Sequence, residues 1–142
     1  MQALVTCLDN DDARDPTSTQ IRHQKIMRRF NAILRENATR PLYVLEIAAA
    51  VGASLRSLTV CCQEHLGMGP KRYLLLRRMH LARQALYSAD PSKLTVTDVA
   101  TQYGFWQFGR FAGQYKSLFG ESPSLTLRRI RRGDGPAAVQ RS

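Results

Sequence analysis

Three histidines, His23, His65 and His80, and three cysteines, Cys7, Cys61 and Cys62, are the residues that would carry metal or nucleophilic chemistry in this chain. The histidines stand at no metal-ligand spacing, no C-x-x-C pair or Gly-rich phosphate loop is present, and the acidic residues are scattered. No catalytic site, metal or cofactor is therefore expected. Cys61 and Cys62 fall on the core-facing side of a helical pattern with Leu58 and Leu66, and read as packing residues. That pattern leaves Arg56, Thr59, Val60 and Gln63 on the other face, where the available chemistry is hydrogen bonding and apolar contact. A guanidinium such as that of Arg56 can bond guanine O6 and N7 together, with roughly 1–3 kcal/mol of discrimination, and Thr59 or Val60 can meet a thymine methyl. Read alone, Arg56 also fits a solvated side chain or a phosphate contact.

The charge balance narrows the partner. Lys and Arg outnumber Asp and Glu by 21 to 11. The first twenty residues hold Asp9, Asp11, Asp12 and Asp15 against Arg14 alone, whereas residues 21–132 hold 19 basic against 6 acidic side chains, a net of +13. Such a charge implies a polyanion, either nucleic acid or an anionic membrane surface. A length of 142 residues accommodates one ordinary domain or two very small ones. No apolar run nears the roughly 20 residues of a membrane span, and no signal-peptide pattern is present. A soluble, cytoplasmic protein is expected, and an odd cysteine count suits a reducing compartment.

These residues need elements to position them. Positions 1–19 are polar and acidic, and Pro16, Thr17, Ser18 and Thr19 read as a linker, so the stretch is expected to be a disordered tail outside the fold. From Gln20, Ile21, Ile26, Phe30, Ile33 and Leu34 recur at mostly helical spacing among Arg22, Lys25, Arg28 and Arg29, giving a basic amphipathic helix closed by Asn37 and Pro41. Short helices over 44–51 and 55–66 follow, ended by Gly52 and Gly67, with Ser54 as N-cap of the second. They form a helix-turn-helix candidate over about 42–67. A longer helix over about 70–88 would span about 28 Å. Thr95 with Asp98 starts a short helix ended at Gly104, a helix over Gln107 to Leu118 completes a second candidate over about 95–119, and Pro123 opens a last helix through Arg131. Residues 133–142 are small and polar, and are expected to be disordered.

The layout occurs twice. Ala48 and Gly52 correspond to Ala100 and Gly104, an offset of 52 residues. Leu58, Cys62, Leu66, Gly67 and Pro70 correspond to Phe111, Tyr115, Phe119, Gly120 and Pro123, an offset of 53, so the second corner carries one inserted residue. Alanine lets two helices approach, glycine supplies a left-handed corner, and Gly-x-x-Pro ends one helix and starts the next. The fold class is thus all-α: two homeodomain-like helix-turn-helix subdomains joined by a long central helix, about seven helices within residues 20–132.

Two signatures carry a family resemblance: Glu46-Ile47-Ala48-x-x-x-Gly52-x-Ser54 with Leu66-Gly67-Met68-Gly69-Pro70, and Val99-Ala100-x-x-x-Gly104-Phe105 with Phe119-Gly120-x-Ser122-Pro123. Pro41 to Arg129 resembles the paired helix-turn-helix DNA-binding domain of the AraC/XylS transcription regulators. Gly104-Phe105-Trp106 and the run Leu118 to Leu127 are similar to the branch containing ethanolamine-utilisation operon regulators. The family usually carries a larger N-terminal sensor or dimerisation domain, so the chain resembles either a C-terminal DNA-binding fragment or a short form.

The resemblance implies a transcription regulator, an activator rather than a repressor, with double-stranded DNA as partner and RNA polymerase as a further one. It implies a monomeric isolated domain, with dimerisation through the N-terminal domain. It places base contacts at Arg56, Thr59 and Val60. In the second unit the corresponding positions are Phe108, Gly109, Ala112 and Gly113, where only Gln107, Arg110 and Gln114 offer hydrogen bonds nearby. Gln107, Phe108 and Arg110 are the base-reading candidates there, Phe108 through thymine methyls; alternatively this helix lies against the backbone without reading sequence. Ser57, Gln63, Lys71, Arg72 and Lys116 are phosphate candidates, with Arg128 and Arg129 also available. Trp106 either packs at the corner or touches DNA, and burial is expected. The 28 Å helix is close to the roughly 34 Å between successive major-groove segments, so one monomer would read two of them. A membrane-surface helix over 20–37 and a protein-interaction module of a larger regulator are the competing readings.

Overall fold

The computed structural model describes residues 16–131, which form seven helices. The expected tail over 133–142 and positions 1–15 of the expected N-terminal stretch lie outside the described residues.

Helix α1 (Pro16–Glu36) starts four residues before the expected position. Proline at the first helical position has no N–H to leave unsatisfied and a φ already suited to the helix, so Pro16 to Thr19 continue α1 rather than forming a linker. Its buried side is His23, Ile26, Met27 and Phe30. These follow the i, i+3, i+4, i+7 rule, which Ile21 does not, and Ile21 is 60% exposed instead of joining the apolar face.

Helices α2 (Val44–Val51) and α3 (Leu55–Leu66) are bent by 98° about their connection, within the range of a helix-turn-helix corner. Gly52 makes the corner at φ 71°, and the following amide, of Ala53, reaches back to Ala48 O at 3.1 Å. Helix α4 (Pro70–Ser88) is 19 residues long, as the spacing requires. The second set comprises α5 (Val96–Gln102), α6 (Phe108–Phe119) and α7 (Pro123–Arg131). Thr95 and Asp98 form the expected reciprocal cap: Thr95 N–H donates to Asp98 Oδ2 at 2.8 Å and Asp98 N–H to Thr95 Oγ1 at 3.1 Å. Gln107 caps α6 instead of beginning it.

The chain divides into two units, one of residues up to Ala38 and Leu42–Leu74, the other of Thr39–Pro41 with the chain from Leu75. In the first, Phe30 of α1, Ile47 and Val51 of α2, and Leu58, Cys61 and Cys62 of α3 close the core together with Leu42. In the second, Met79, Ala82 and Leu86 of α4 pack with Val99 and Ala100 of α5, Phe111 and Tyr115 of α6, and Leu127 of α7. Among the described residues no single helix is long and apolar enough to cross a membrane.

Candidate nucleic-acid interface

In α3, Ser54 Oγ accepts from Ser57 N–H at 3.0 Å, which fixes where the helix begins and hence which side chains its first turns present. Because Leu58, Cys61 and Cys62 are buried, Arg56, Val60 and Gln63 are exposed on the opposite side, with Thr59 and Ser57 half-buried beside them. The Arg56 guanidinium makes no hydrogen bond or ion pair with another described residue. Thr59 Oγ1 donates to Leu55 O at 2.7 Å, so its hydroxyl hydrogen is engaged and what it offers outward is an acceptor and a methyl. Val60 is 41% exposed. Arg56, Thr59 and Val60 therefore share one accessible face, as expected from their spacing.

The second unit presents a different surface. Gln107, Gly109, Arg110, Gly113 and Gln114 are exposed, Ala112 is half-buried, and Phe108 is 43% exposed. A Cβ built on Gly109 or Gly113 would meet nothing within 4 Å, so no neighbour within the protein demands glycine there. Trp106 is 77% exposed, contrary to the expected burial. Phe105 holds the inward place: its ring lies 4.8 Å from that of Phe111 and beneath the Arg78 guanidinium, also at 4.8 Å, and the next side chain turns outward.

Among the basic residues, Lys71, Arg72, Lys116 and Arg128 are exposed. Others are engaged inside their own unit. Arg129 pairs with Glu121 at 3.0 Å, Arg77 donates to Arg40 O at 2.7 Å, Arg78 reaches the main chain at Tyr103 and Gly104, and Arg29 reaches Val51 O at 3.1 Å. Ile21, Arg22, Lys25, Arg29 and Gly52 line part of a shallow groove of about 420 Å³ beside the first corner.

No group of three or more His, Cys, Asp or Glu side chains among the described residues is arranged to hold a metal. Burial pushes the Cys61 and Cys62 thiols up to about 11, so both are neutral packing groups at neutral pH. His23, unassigned by the sequence reading, is buried with Nδ1 2.9 Å from Glu64 Oε2. The signal was its place three residues before Ile26 on one helical face.

Two corners, each followed by a twelve-residue helix with an exposed outer face, define a double helix-turn-helix protein. Residues 47–129 match a helix-turn-helix domain family. The chain is 47% identical over 97 residues to a probable thc operon regulatory protein of Rhodococcus erythropolis, covering 68% of this chain and 29% of that protein. It is 38% identical over 96 residues to a XylDLEGF operon transcriptional activator of Pseudomonas putida, again covering 68% and 29%. A crystal structure of a probable AraC family transcriptional regulator from Rhodopseudomonas palustris superposes with a TM-score of 0.62 at 32% identity, over 74% of this chain and 96% of that one. The chain belongs to the AraC/XylS family of helix-turn-helix regulators, and it spans 29% of the length of each of the two curated relatives described.

Proposed function

We propose that this chain is the sequence-specific DNA-binding part of a bacterial transcription regulator, with α3 and α6 entering adjacent major-groove segments of one duplex. The observation that carries the reading is the α3 face: an unengaged guanidinium at Arg56 beside the methyl-bearing Thr59 and Val60, on a helix whose start is pinned by Ser54. Arg56 reads guanine, and Thr59 and Val60 meet thymine methyls. Gln107, Phe108 and Arg110 supply the weaker second reading, with Trp106 now added at the edge of that surface. Ser57, Gln63, Lys71, Arg72 and Lys116 contact phosphates and fix register.

The apolar side of α1 is buried with α2 and α3, which removes the face a membrane-bound helix would need. The name of the Pseudomonas relative, a transcriptional activator, supports activation; a regulator acting in this way meets RNA polymerase in the cytoplasm. The isolated unit binds as a monomer, and dimerisation belongs to an N-terminal domain of the kind the family carries.

Selection of bound duplexes from a random pool, repeated with Arg56→Ala, tests this. The variant is expected to lose one guanine-dependent position, at about 1–3 kcal/mol. A motif unchanged by Arg56→Ala but altered by Arg110→Ala would overturn the assignment.

A further inference from the structure

The internal duplication extends further back than the helix-turn-helix pairs. Phe30 of α1 and Met79 of α4 are buried equivalents, 49 residues apart, and each is preceded by an arginine, Arg29 and Arg78. Both arginines reach the corner of their own unit. Arg29 Nη1 donates to Val51 O at 3.1 Å, and Arg78 Nη1 lies 3.3 Å from Tyr103 O and 3.4 Å from Gly104 O. Val51 and Tyr103 are themselves equivalent in the repeat, at its offset of 52. Two arginines on different helices thus meet the equivalent main-chain position, each in the corner of its own unit.

That position has a physical use for a cation. The C-terminal ends of α2 and α5 carry the negative end of the helix dipole, and the left-handed glycine turn leaves Val51 O, in the last residue of α2, and Tyr103 O, in the residue capping α5, without a helical N–H partner. A guanidinium supplies charge and a donor in fixed geometry. At the second corner the same group also covers the Phe105 ring at 4.8 Å, joining α4 to the three residues that precede α6's cap.

We propose that Arg29 and Arg78 are positioning residues for DNA reading: each holds its corner so that the following helix is presented at a set angle, and neither contacts phosphate. The proposal rests on the DNA-binding reading above. It separates these two arginines from the exposed Lys71, Arg72 and Lys116, with which net charge alone would group them.

The test uses the chain with Arg29→Met and Arg78→Met, the duplex selected by the wild type, and binding measured from 50 to 200 mM salt. Each variant is expected to lose about tenfold in affinity. The loss is confined to base preference at one end of the site, opposite ends for the two variants, with the slope of log K against log salt unchanged. Loss of a phosphate contact would instead flatten the slope by about 0.9 with base preference intact, and that result, or no change in either readout, overturns the proposal. Should a methionine variant lose its helical circular dichroism, Arg29→Lys or Arg78→Lys, which keep the charge and lose the fork, are judged by the same readouts. Amide exchange without DNA separates this from failure of the DNA reading: Arg78→Met should speed exchange at Phe105 and Phe111 and leave Ala53 and Leu58 unchanged, and Arg29→Met the reverse. Uniform exchange changes across both units would also overturn it.

Discussion

Tyr115 Oη donates a 2.8 Å hydrogen bond to Thr126 Oγ1, and both side chains are fully buried between α6 and α7. Thr126 in turn donates its hydroxyl hydrogen to Glu121, whose carboxylate pairs with Arg129 at 3.0 Å. The loss expected from breaking this chain depends on which link is removed. Tyr115→Phe leaves only an acceptor short of a partner and should cost about 1 kcal/mol, whereas Thr126→Val strands the Tyr115 hydroxyl and a Glu121 oxygen and should cost about 2–3 kcal/mol. Urea unfolding of both variants measures this; equal losses would contradict the chain of bonds.

Burial raises the Cys61 and Cys62 thiols from 9.0 to about 11 and the Tyr115 phenol from 10.0 to about 12. In the unfolded chain these groups lose their protons at lower pH than in the fold, so unfolding is favoured as pH rises above 9. From these three groups alone, stability should be level around neutral pH up to 9 and fall progressively toward pH 12. The double variant Cys61→Ala, Cys62→Ala should flatten the portion between 9 and 11. At the acid end, hydrogen bonds from Thr95 hold the exposed Asp98 carboxyl below its ordinary range, so its contribution to the α5 cap is present above that range and lost as pH falls through it.

Gly109 and Gly113 lie in an exposed helix with open space at both Cβ positions. Each change to alanine should stabilise the protein by about 1 kcal/mol, read as a rise in Tm. If the α6 backbone lies close to DNA, the same variants bind the selected duplex more weakly despite being more stable; unchanged affinity would remove close approach as the reason for these glycines.

Trp106 is the sole tryptophan, so tryptophan emission, excited at wavelengths where the five tyrosines do not absorb, reports on the second corner alone. Its emission should shift or quench when the selected duplex binds, and Trp106→Ala should leave Tm within about 0.5 kcal/mol equivalent of the wild type, as for an exposed site, while weakening binding. Emission unaffected by a duplex that demonstrably binds would place Trp106 outside the interface.

Much of the scaffold was legible because its signals are local. Ser54, Thr95 with Asp98, and Gly52, Gly67, Gly104 and Gly120 act within about four residues of themselves, through caps and left-handed turns, and each marks a helix end found in the structure. Pro16 is ambiguous in sequence, because the residue that marks a linker also begins helices, and α1 shows that it takes the second role.

The side chains at the site divide the same way. Periodicity along the chain determined that two corners are each followed by a helix, and that Arg56, Thr59 and Val60 share a face. Only packing decided that Phe105 rather than Trp106 turns inward, that Ile21 stays exposed, and that Arg29 and Arg78 bond main-chain carbonyls while Lys71 and Arg72 face water. Such choices depend on which neighbours arrive from distant sequence to exclude water or supply a partner, and no local pattern encodes that competition.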